Sequence, residues 1–353
     1  MRSPSTGSVE DTSSARFQPS RWSTPPDGIL PVEGLRMSPE FSHLPVMVDE
    51  VLAALGPVPP GVVVDATVGA GGHAAALLEA YPHMRVLGLD RDPDALAAAR
   101  RALARFGDRA RVRRVRFDAL TSEVRAWGVE RVSGVLFDLG VSSPQLDWPE
   151  RGFSYRHDAP LDMRMDPTTG VTAADLVQTM TEADMARLFA EHGEGRFARR
   201  IAHAVVAARP IVTTGRLAEV VREAIPAAVR RTGGHPARRA FQALRVMVND
   251  ELEAVALSLP AAIEALAPGG RCVAIAYHSG EDRLVKAAFA RAVTGGCVCP
   301  PGLPCACGAV PLGRLVFRGA RRPSPAEVAH NRRAESARLR VFERAESHVG
   351  GAC

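Results

Sequence analysis

Three segments of the chain carry residue types and spacings that could do chemistry. The first is Asp65-Ala66-Thr67-Val68-Gly69-Ala70-Gly71-Gly72-His73, which follows the apolar run Gly61-Val62-Val63-Val64. Glycines permit positive φ and close backbone approach to a ligand, and the N–H groups that open a following helix suit its charged part. Asp90 ends a second apolar run 19 residues beyond Gly71, where an acid accepts hydrogen bonds from ribose hydroxyls. The pair fits a nucleoside cofactor. The spacing is not the full G-x-G-x-x-G of dinucleotide sites, so this motif alone leaves both a methyl donor and a nicotinamide dinucleotide open, with a tight ligand-free turn as the bland alternative. The second segment is Asp138-Leu139-Gly140-Val141-Ser142-Ser143-Pro144-Gln145. A carboxylate at the carboxyl end of a strand can accept from an exocyclic amine and orient it; as a mere turn cap it would do nothing chemical. The third is Cys297-x-Cys299 with Cys305-x-Cys307, framing Pro300-Pro301-Gly302. Four thiolates can bind Zn²⁺ tetrahedrally. Reduced thiols and disulfides are the alternatives, the latter disfavoured because no export signal is present.

The elements that must position these groups alternate. A helix is expected over 46–55, stopped by Gly56-Pro57, then a buried strand over 61–65 and an Ala/Leu helix over 72–80. A second strand follows over 85–90, and Asp92-Pro93 caps a helix running to about Phe106, with Pro at its first position. Strands over 111–117 and 134–138 come next, and the following comparable signal is Pro268-Gly269-Gly270 with a strand over 271–277. Strands alternating with helices predict an α/β fold with a parallel sheet. Between Asp138 and Arg271 lie 132 residues, where a crossover needs roughly 30, so about 100 residues are inserted after the fourth strand. Apolar spacing over 173–180, 182–191, 196–208 and 214–224 is helical. The expected organisation is therefore a tail over 1–36, a discontinuous sheet domain over 37–140 and 246–346, a helical insertion over 141–245, and a flexible end over 347–353. The Ser/Pro/Thr/Gly-rich tail reads as disordered, and translation starting at Met37 is a second option for it.

The 353 residues are 46% hydrophobic and 24% charged, an ordinary globular composition. No stretch nears ~18 uninterrupted apolar residues, the length of a membrane span, and no apolar leader segment is present, so a cytoplasmic protein is expected. Net charge is +5, carried almost wholly by arginine, since Lys286 is the only lysine. Arginine forks suit phosphate. They gather over 191–240 (ten Arg against four Glu) and 311–340 (eight Arg against two Glu). Among them Arg196, Arg199, Arg200, Arg230, Arg231, Arg238 and Arg239 could face nucleic acid; solvated helix faces would look the same.

A turn that begins with an acid and continues Gly-x-Gly resembles that of S-adenosylmethionine-dependent methyltransferases, with Thr67 where their first glycine often falls. The resemblance sharpens over 138–147 (DLGVSSPQLD), Arg151-Gly152-Phe153-Ser154 and Pro160-Leu161-Asp162-Met163-Arg164-Met165-Asp166-Pro167. In the same order come Gly193-Glu194-x-Arg196-Phe197-Ala198-x-x-Ile201-Ala202, His235-Pro236-Ala237, Phe241-Gln242-Ala243-Leu244-Arg245, Val248-Asn249-x-Glu251-Leu252 and Tyr277-His278-Ser279-x-Glu281-Asp282-Arg283. Together they resemble the bacterial 16S ribosomal RNA cytosine-N4 methyltransferases over roughly 41–346.

That resemblance implies a class I S-adenosylmethionine-dependent methyltransferase (Rossmann-like) sheet with a helical insertion. It implies donor contacts from Gly71, Gly72, His73, Asp90, Phe117, Asp138 and Gln145, with Phe117 packing on adenine. The substrate implied is a cytidine of 16S ribosomal RNA in the small ribosomal subunit. For the reaction, Asp138 is expected to accept from the N4 amine, assisted by Ser142 and Ser143, with His278 as a proton acceptor or base contact. Methylation of DNA amino groups is a second reading, although Asp138-Leu139-Gly140-Val141 lacks the Pro-Pro-aromatic pattern of those enzymes. A non-catalytic RNA-binding assembly factor is a third. Gly280 stands where the family usually has Leu, which is expected to loosen packing beside His278. Asn331-Arg332-Arg333-Ala334-Glu335-Ser336 departs from the usual tail. The oligomeric state is left open, a homodimer among the options.

Overall fold

Runs of valine and leucine buried on both faces build the centre of the protein. The computed structural model describes residues 45–230, 235, 237–300 and 306–346. The expected tail over 1–36, the end over 347–353, Arg231 and Cys305 lie outside the described residues. The chain begins with Val48–Leu55 (α1), Val62–Asp65 (β1), Gly72–Ala80 (α2), Arg85–Asp90 (β2) and Pro93–Leu103 (α3). Ala110–Arg114 (β3), Leu120–Ala126 (α4) and Val132–Asp138 (β4) complete the first half of the sheet. The period of two along each strand splits the core cleanly. Val63, Val86 and Leu136 face the α1–α3 side, while Val62, Val64, Leu87, Leu89, Val135 and Phe137 face the other. Both faces are covered, as parallel strands require.

The insertion holds Ser143–Asp147 (α5), Ala173–Thr179 (α6), Glu182–Phe189 (α7), Ala198–Ala207 (α8), Thr214–Ala224 (α9), Ala227–Arg230 (α10) and Ala237–Asn249 (α11). Threonines 172, 181 and 213 accept backbone N–H groups at the starts of α6, α7 and α9, the capping pattern that fixes where helices begin. These helices bury an apolar core of their own, including Phe189, Ile201, Val205, Leu217, Val221, Phe241 and Leu244. α11 runs unbroken through position 245, so the boundary expected there falls inside one helix.

The chain then returns through Glu251–Ala265 (α12), Leu266–Ala276 (β5), Ser279–Thr294 (α13), Gly313–Leu315 (β6), Pro325–His330 (α14) and Arg338–Arg344 (β7). Among the described residues the sheet order is β3-β2-β1-β4-β5-β7-β6. β1 to β5 are parallel, and β7 enters antiparallel between β5 and β6. The order reverses between β1 and β4, and in open sheets ligands bind outside the strand ends at such a switch point.

Three expectations change. The third strand stops at Arg114 rather than Phe117, because a 3₁₀ turn over Phe117–Ala119 takes over, with Arg116 paired to Asp118 beside it. The helix expected to reach Phe106 ends at Leu103, and Gly107 with φ +54° breaks the 3₁₀ segment that follows. Helices α11 to α13 and the β6–β7 pair add to the elements expected from the sequence. α12 is apolar on much of its surface, and β7 interleaves arginine with apolar residues, so neither presents a plain period.

Candidate active site

The glycine turn sits at the switch point. Asp65 ends β1 only 1% exposed, and its Oδ1 accepts from the Thr67 N–H at 3.3 Å. Burial pushes its carboxyl up to about 7, against the pull of His73 and the Thr67 N–H. The turn is tied to β2 because Val68 N–H donates to Leu89 O and Gly69 N–H donates to Asp90 Oδ2 at 3.0 Å. Asp90 Oδ1 accepts from Asp92 N–H at 2.9 Å, and burial raises its carboxyl to about 6. Each of its oxygens has a second lone pair for a ribose hydroxyl. Gly71 caps α2 at φ +89°, where a Cβ would meet Ala99 Cα of α3 at 3.3 Å; the left-handed backbone and the close helix both demand glycine. The first N–H groups of α2 then lack intrahelical acceptors, the arrangement that suits an anion such as a carboxylate.

His73 is 5% exposed, and its Nε2 lies 3.5 Å from Asp138 Oδ2. Burial opposes the imidazolium, but Asp138 and Asp65 outweigh it and raise the His73 pKa. Asp138 itself is anchored by its own N–H, which donates to Thr67 Oγ1 at 2.7 Å. Its Oδ1 accepts from the Tyr277 hydroxyl at 2.7 Å. Burial and the neighbouring carboxylate push that phenol well above its usual range, so it stays protonated and donating. Gly140 has φ +118°, and a Cβ there would touch the Tyr277 ring at 3.3 Å. The Asp-Leu-Gly and Tyr-His-Ser segments therefore pack face to face.

Asp65 Oδ2, both ring nitrogens of His73 and Ser142 Oγ are buried without a hydrogen-bond partner. Buried polar atoms in native proteins are nearly always satisfied, so a crevice with four orphans around a glycine turn fits a polar ligand. Groups that could hold a nucleoside sulfonium with an amino-acid end here are the α2 N-terminus for its carboxylate, Asp90 for its ribose, and the Asp65 and Asp138 carboxylates for its positive centre.

The remaining expected residues fall in different places. Gln145 is 3% exposed and bridges the wall, accepting from Ser142 N–H at 2.9 Å and donating to Asp92 Oδ2 at 2.8 Å. Phe117 packs edge-on to Phe137 at 5.8 Å, next to Val115, whose N–H donates to Asp90 O. Phe117 itself stands in a turn rather than on a strand, its ring partly buried against the core that contains Phe137. Ser143 opens α5.

His278 stands at the N-cap of α13. Its Nδ1 accepts from the Gly280 and Glu281 N–H groups at 3.2 and 3.4 Å, and its Nε2 faces Glu281 Oε1 at 2.9 Å. The ring caps α13 through Nδ1, while Nε2 has no hydrogen-bond partner among the described residues. Glu281 Oε2 in turn accepts from Tyr277 N–H at 2.8 Å. The expected loosening at Gly280 is absent, because the His278 ring fills that space: a Cβ would meet its Cε1 and Nδ1 at 3.1 Å.

Sequence reasoning missed several supporting residues. Arg245 grips Glu251 through two bonds of 2.8 Å and lies 3.9 Å from Glu281. Burial opposes ionisation of Glu281, yet His278 and Arg245 hold its carboxyl below the usual value. Arg151, 8% exposed, pairs with Asp92 at 3.0 Å and Asp94 at 3.2 Å and donates to the Arg164 and Met165 carbonyls. Asn249 accepts from Arg91 and from Met165 N–H, and donates to Met163 O. These residues stand in the quoted motifs, which was the available signal; their partners were not visible. In the tail, Arg333 reaches Asp147 of α5 at 2.6 Å, so the departing segment still braces the site wall.

The arginine clusters divide. Arg338 and Arg340 pair with Asp282, and Arg314 with Glu343. Arg209 donates to the carbonyls of Val177 and Met180. Arg196, Arg199, Arg200, Arg238 and Arg239 are exposed; Arg199 and Arg200 have no ion pair among the described residues. No described helix is long and apolar enough to cross a membrane.

Comparison with known proteins agrees with this geometry. "Ribosomal RNA small subunit methyltransferase H" of Heliobacterium modesticaldum is 50% identical over 310 residues, covering 86% of this chain and 99% of that protein. The protein of the same name from a Nocardioides strain is 53% identical over 310 residues, 86% of this chain and 97% of its own length. That of Mycolicibacterium smegmatis is 49% identical over 325 residues, 89% and 86% of the two chains. Among the described residues the sheet is a seven-stranded, mainly parallel α/β sheet with an antiparallel β7, in line with the expected fold class. With the family model matched over residues 40–345, the chain belongs to the MraW methylase family.

Proposed function

We propose that this protein transfers the methyl group of S-adenosylmethionine to the exocyclic N4 amine of a cytidine in 16S ribosomal RNA, acting in the cytoplasm on the small ribosomal subunit. The observation that carries the reading is Asp138, 23% exposed at the end of β4, held from three sides by Thr67, Tyr277 and His73 beside unsatisfied polar atoms. Family membership and the relatives' names support the substrate.

Bound in the crevice, the donor supplies an electrophilic methyl group on a good leaving group. The chain must then orient a weak nucleophile, since the N4 lone pair is delocalised into the ring. Asp138 accepts an N4 hydrogen, which localises the lone pair and aims the amine. Tyr277 keeps Oδ1 of that carboxylate fixed, while Oδ2 lies 3.5 Å from His73 Nε2. Ser142 Oγ, buried and unpartnered, offers a second polar contact, and Ser143 lies beside it in the chain. Glu281 and His278 hold Tyr277 from behind. A base inside folded RNA must leave its stack to reach such a site, and Arg199, Arg200 and Arg238 offer cations for the flanking phosphates.

The test is incubation with isotopically labelled methyl donor and unmodified small subunits, followed by nucleoside mass spectrometry. N4-methylcytidine is the expected product. Donor binding with no transfer to ribosomal RNA would favour an assembly factor and overturn the reading.

A further inference from the structure

The segment between α13 and β6 has a feature that methyl transfer does not use. α13 ends at Gly295, φ +62°, where a Cβ would collide with the Val310 backbone at 2.4 Å. Leu312 N–H donates to Ala292 O. The ends of the loop are thus pinned together, yet its described valines lie open to solvent: Val298 is 85% exposed and Val310 48%. A loop of this kind needs another internal link. The three described thiols turn inward to provide it. The sulfurs of Cys297, Cys299 and Cys307 all lie within 4.8 Å of one another.

The spacing discriminates between the possible links. Cys297 and Cys307 Sγ are 3.6 Å apart, far beyond the ~2.05 Å of a disulfide. A tetrahedral zinc with Zn–S of about 2.3 Å sets sulfurs about 3.8 Å apart. Ala306 N–H also donates to Cys299 Sγ at 3.3 Å, the kind of bond that orients a metal-bound thiolate from its outer shell. Soft thiolates in this geometry select Zn²⁺. Cys272, by contrast, is fully buried in the sheet core, where burial drives its thiol far up; it is packing, not a ligand.

We propose that Cys297, Cys299 and Cys307 bind a structural zinc ion that clips the loop joining α13 to the β6–β7 edge of the sheet. Binding releases the thiol protons. The 16 residues of α13 separate this loop from His278 at the other end of the helix, a span of about 24 Å. The clip therefore acts on folding of the edge, not on the reaction.

The test uses full-length protein prepared without chelators. Elemental analysis should find about one zinc per chain. Co²⁺ exchanged into the protein should give thiolate charge-transfer absorption, whose intensity counts the sulfurs bound. Cys297→Ser and Cys299→Ser should each lose most of the metal while retaining donor binding, which separates ligand loss from misfolding. Limited proteolysis should cut between 295 and 312 about tenfold faster after zinc is stripped, with donor affinity unchanged. Protein that carries no zinc from zinc-supplemented cells and binds no Co²⁺ after mild reduction overturns the proposal. So does intact mass two daltons low per cysteine pair, or metal retained in both serine variants.

Discussion

Two buried polar clusters meet at Tyr277 and are built on opposite principles. In front of its hydroxyl, Asp65, His73 and Ser142 leave polar atoms without partners. Behind its backbone, Arg245, Glu251 and Glu281 are linked by short bonds and ion pairs, and His278 Nε2, itself without a hydrogen bond among the described residues, lies 2.9 Å from Glu281 Oε1. An unsatisfied buried polar group costs about 1–3 kcal/mol, and a protein retains several together where a ligand completes them. A network in which nearly every group is paired instead defines one geometry and holds it. The contrast assigns the front cluster to binding and chemistry and the rear cluster to positioning.

The largest expected effect tests the rear cluster. Arg245→Ala leaves Glu251 and Glu281 buried without their cation, and should destabilise the fold by about 3–5 kcal/mol, read as a drop in denaturant midpoint. Replacing Arg245 and Glu251 together by Met and Leu should recover part of that loss. If Arg245→Ala were harmless, the two clusters would not differ as described.

In front, Asp138→Asn should slow single-turnover methyl transfer by about 10²–10³-fold, the scale of removing one electrostatic interaction at a reacting centre. Stability should change little, and donor affinity should fall far less than turnover. Near-normal turnover with unchanged donor affinity would remove Asp138 from the mechanism. Tyr277→Phe removes one hydrogen bond to a charged group, worth about 1.5–3 kcal/mol, so turnover should fall by about 10–100-fold with little effect on unfolding. A loss of stability larger than the loss of rate would move Tyr277 into the rear cluster.

The front cluster also sets a pH dependence. Asp65 at about 7 and Asp90 at about 6 lie above an unfolded aspartate near ~3.9. The folded protein therefore holds more protons between about pH 4 and 7, and their contribution to stability falls as pH rises through that window. His73, raised as well, acts in the same direction from its ordinary range upward. Asp65→Asn should gain on wild type steadily from pH 4.5 to 7.5 in thermal melts of the donor-free protein. A pH-independent difference would mean that the Asp65 carboxyl is not perturbed.

The smallest effect concerns the arginines. Arg199→Ala with Arg200→Ala should lower the slope of log affinity for small-subunit RNA against log salt by about 1 for each phosphate no longer neutralised. Arg340→Ala, whose side chain is largely buried against Asp282, should leave that slope unchanged. Equal effects from both would erase the distinction between exposed and internally paired arginines.

Legibility in the sequence follows the range of the forces. β1, β2 and β4 were readable because burial on both faces writes continuous apolar runs. The glycine turn was readable because positive φ restricts residue choice locally. Arg111 to Phe117 misled because alternation continues past the last ladder bond, and only the Arg116–Asp118 pair shows where the chain turns. His278 shows a related limit: nothing in the sequence at this strand end reveals that its Nδ1 caps the following helix.

The sequence alone therefore determined the α/β order, the acid-glycine turn with Asp90, the candidate Asp138 and the family. Those features depend on steric preference, period and adjacency within a few residues. Only the tertiary structure decided that Tyr277 fixes Asp138 across 139 positions, that Arg151 and Gln145 converge on Asp92, and which arginines remain exposed. Such pairs are chosen by long-range packing, where a buried charge must find a partner wherever the fold brings one. No local spacing encodes that choice.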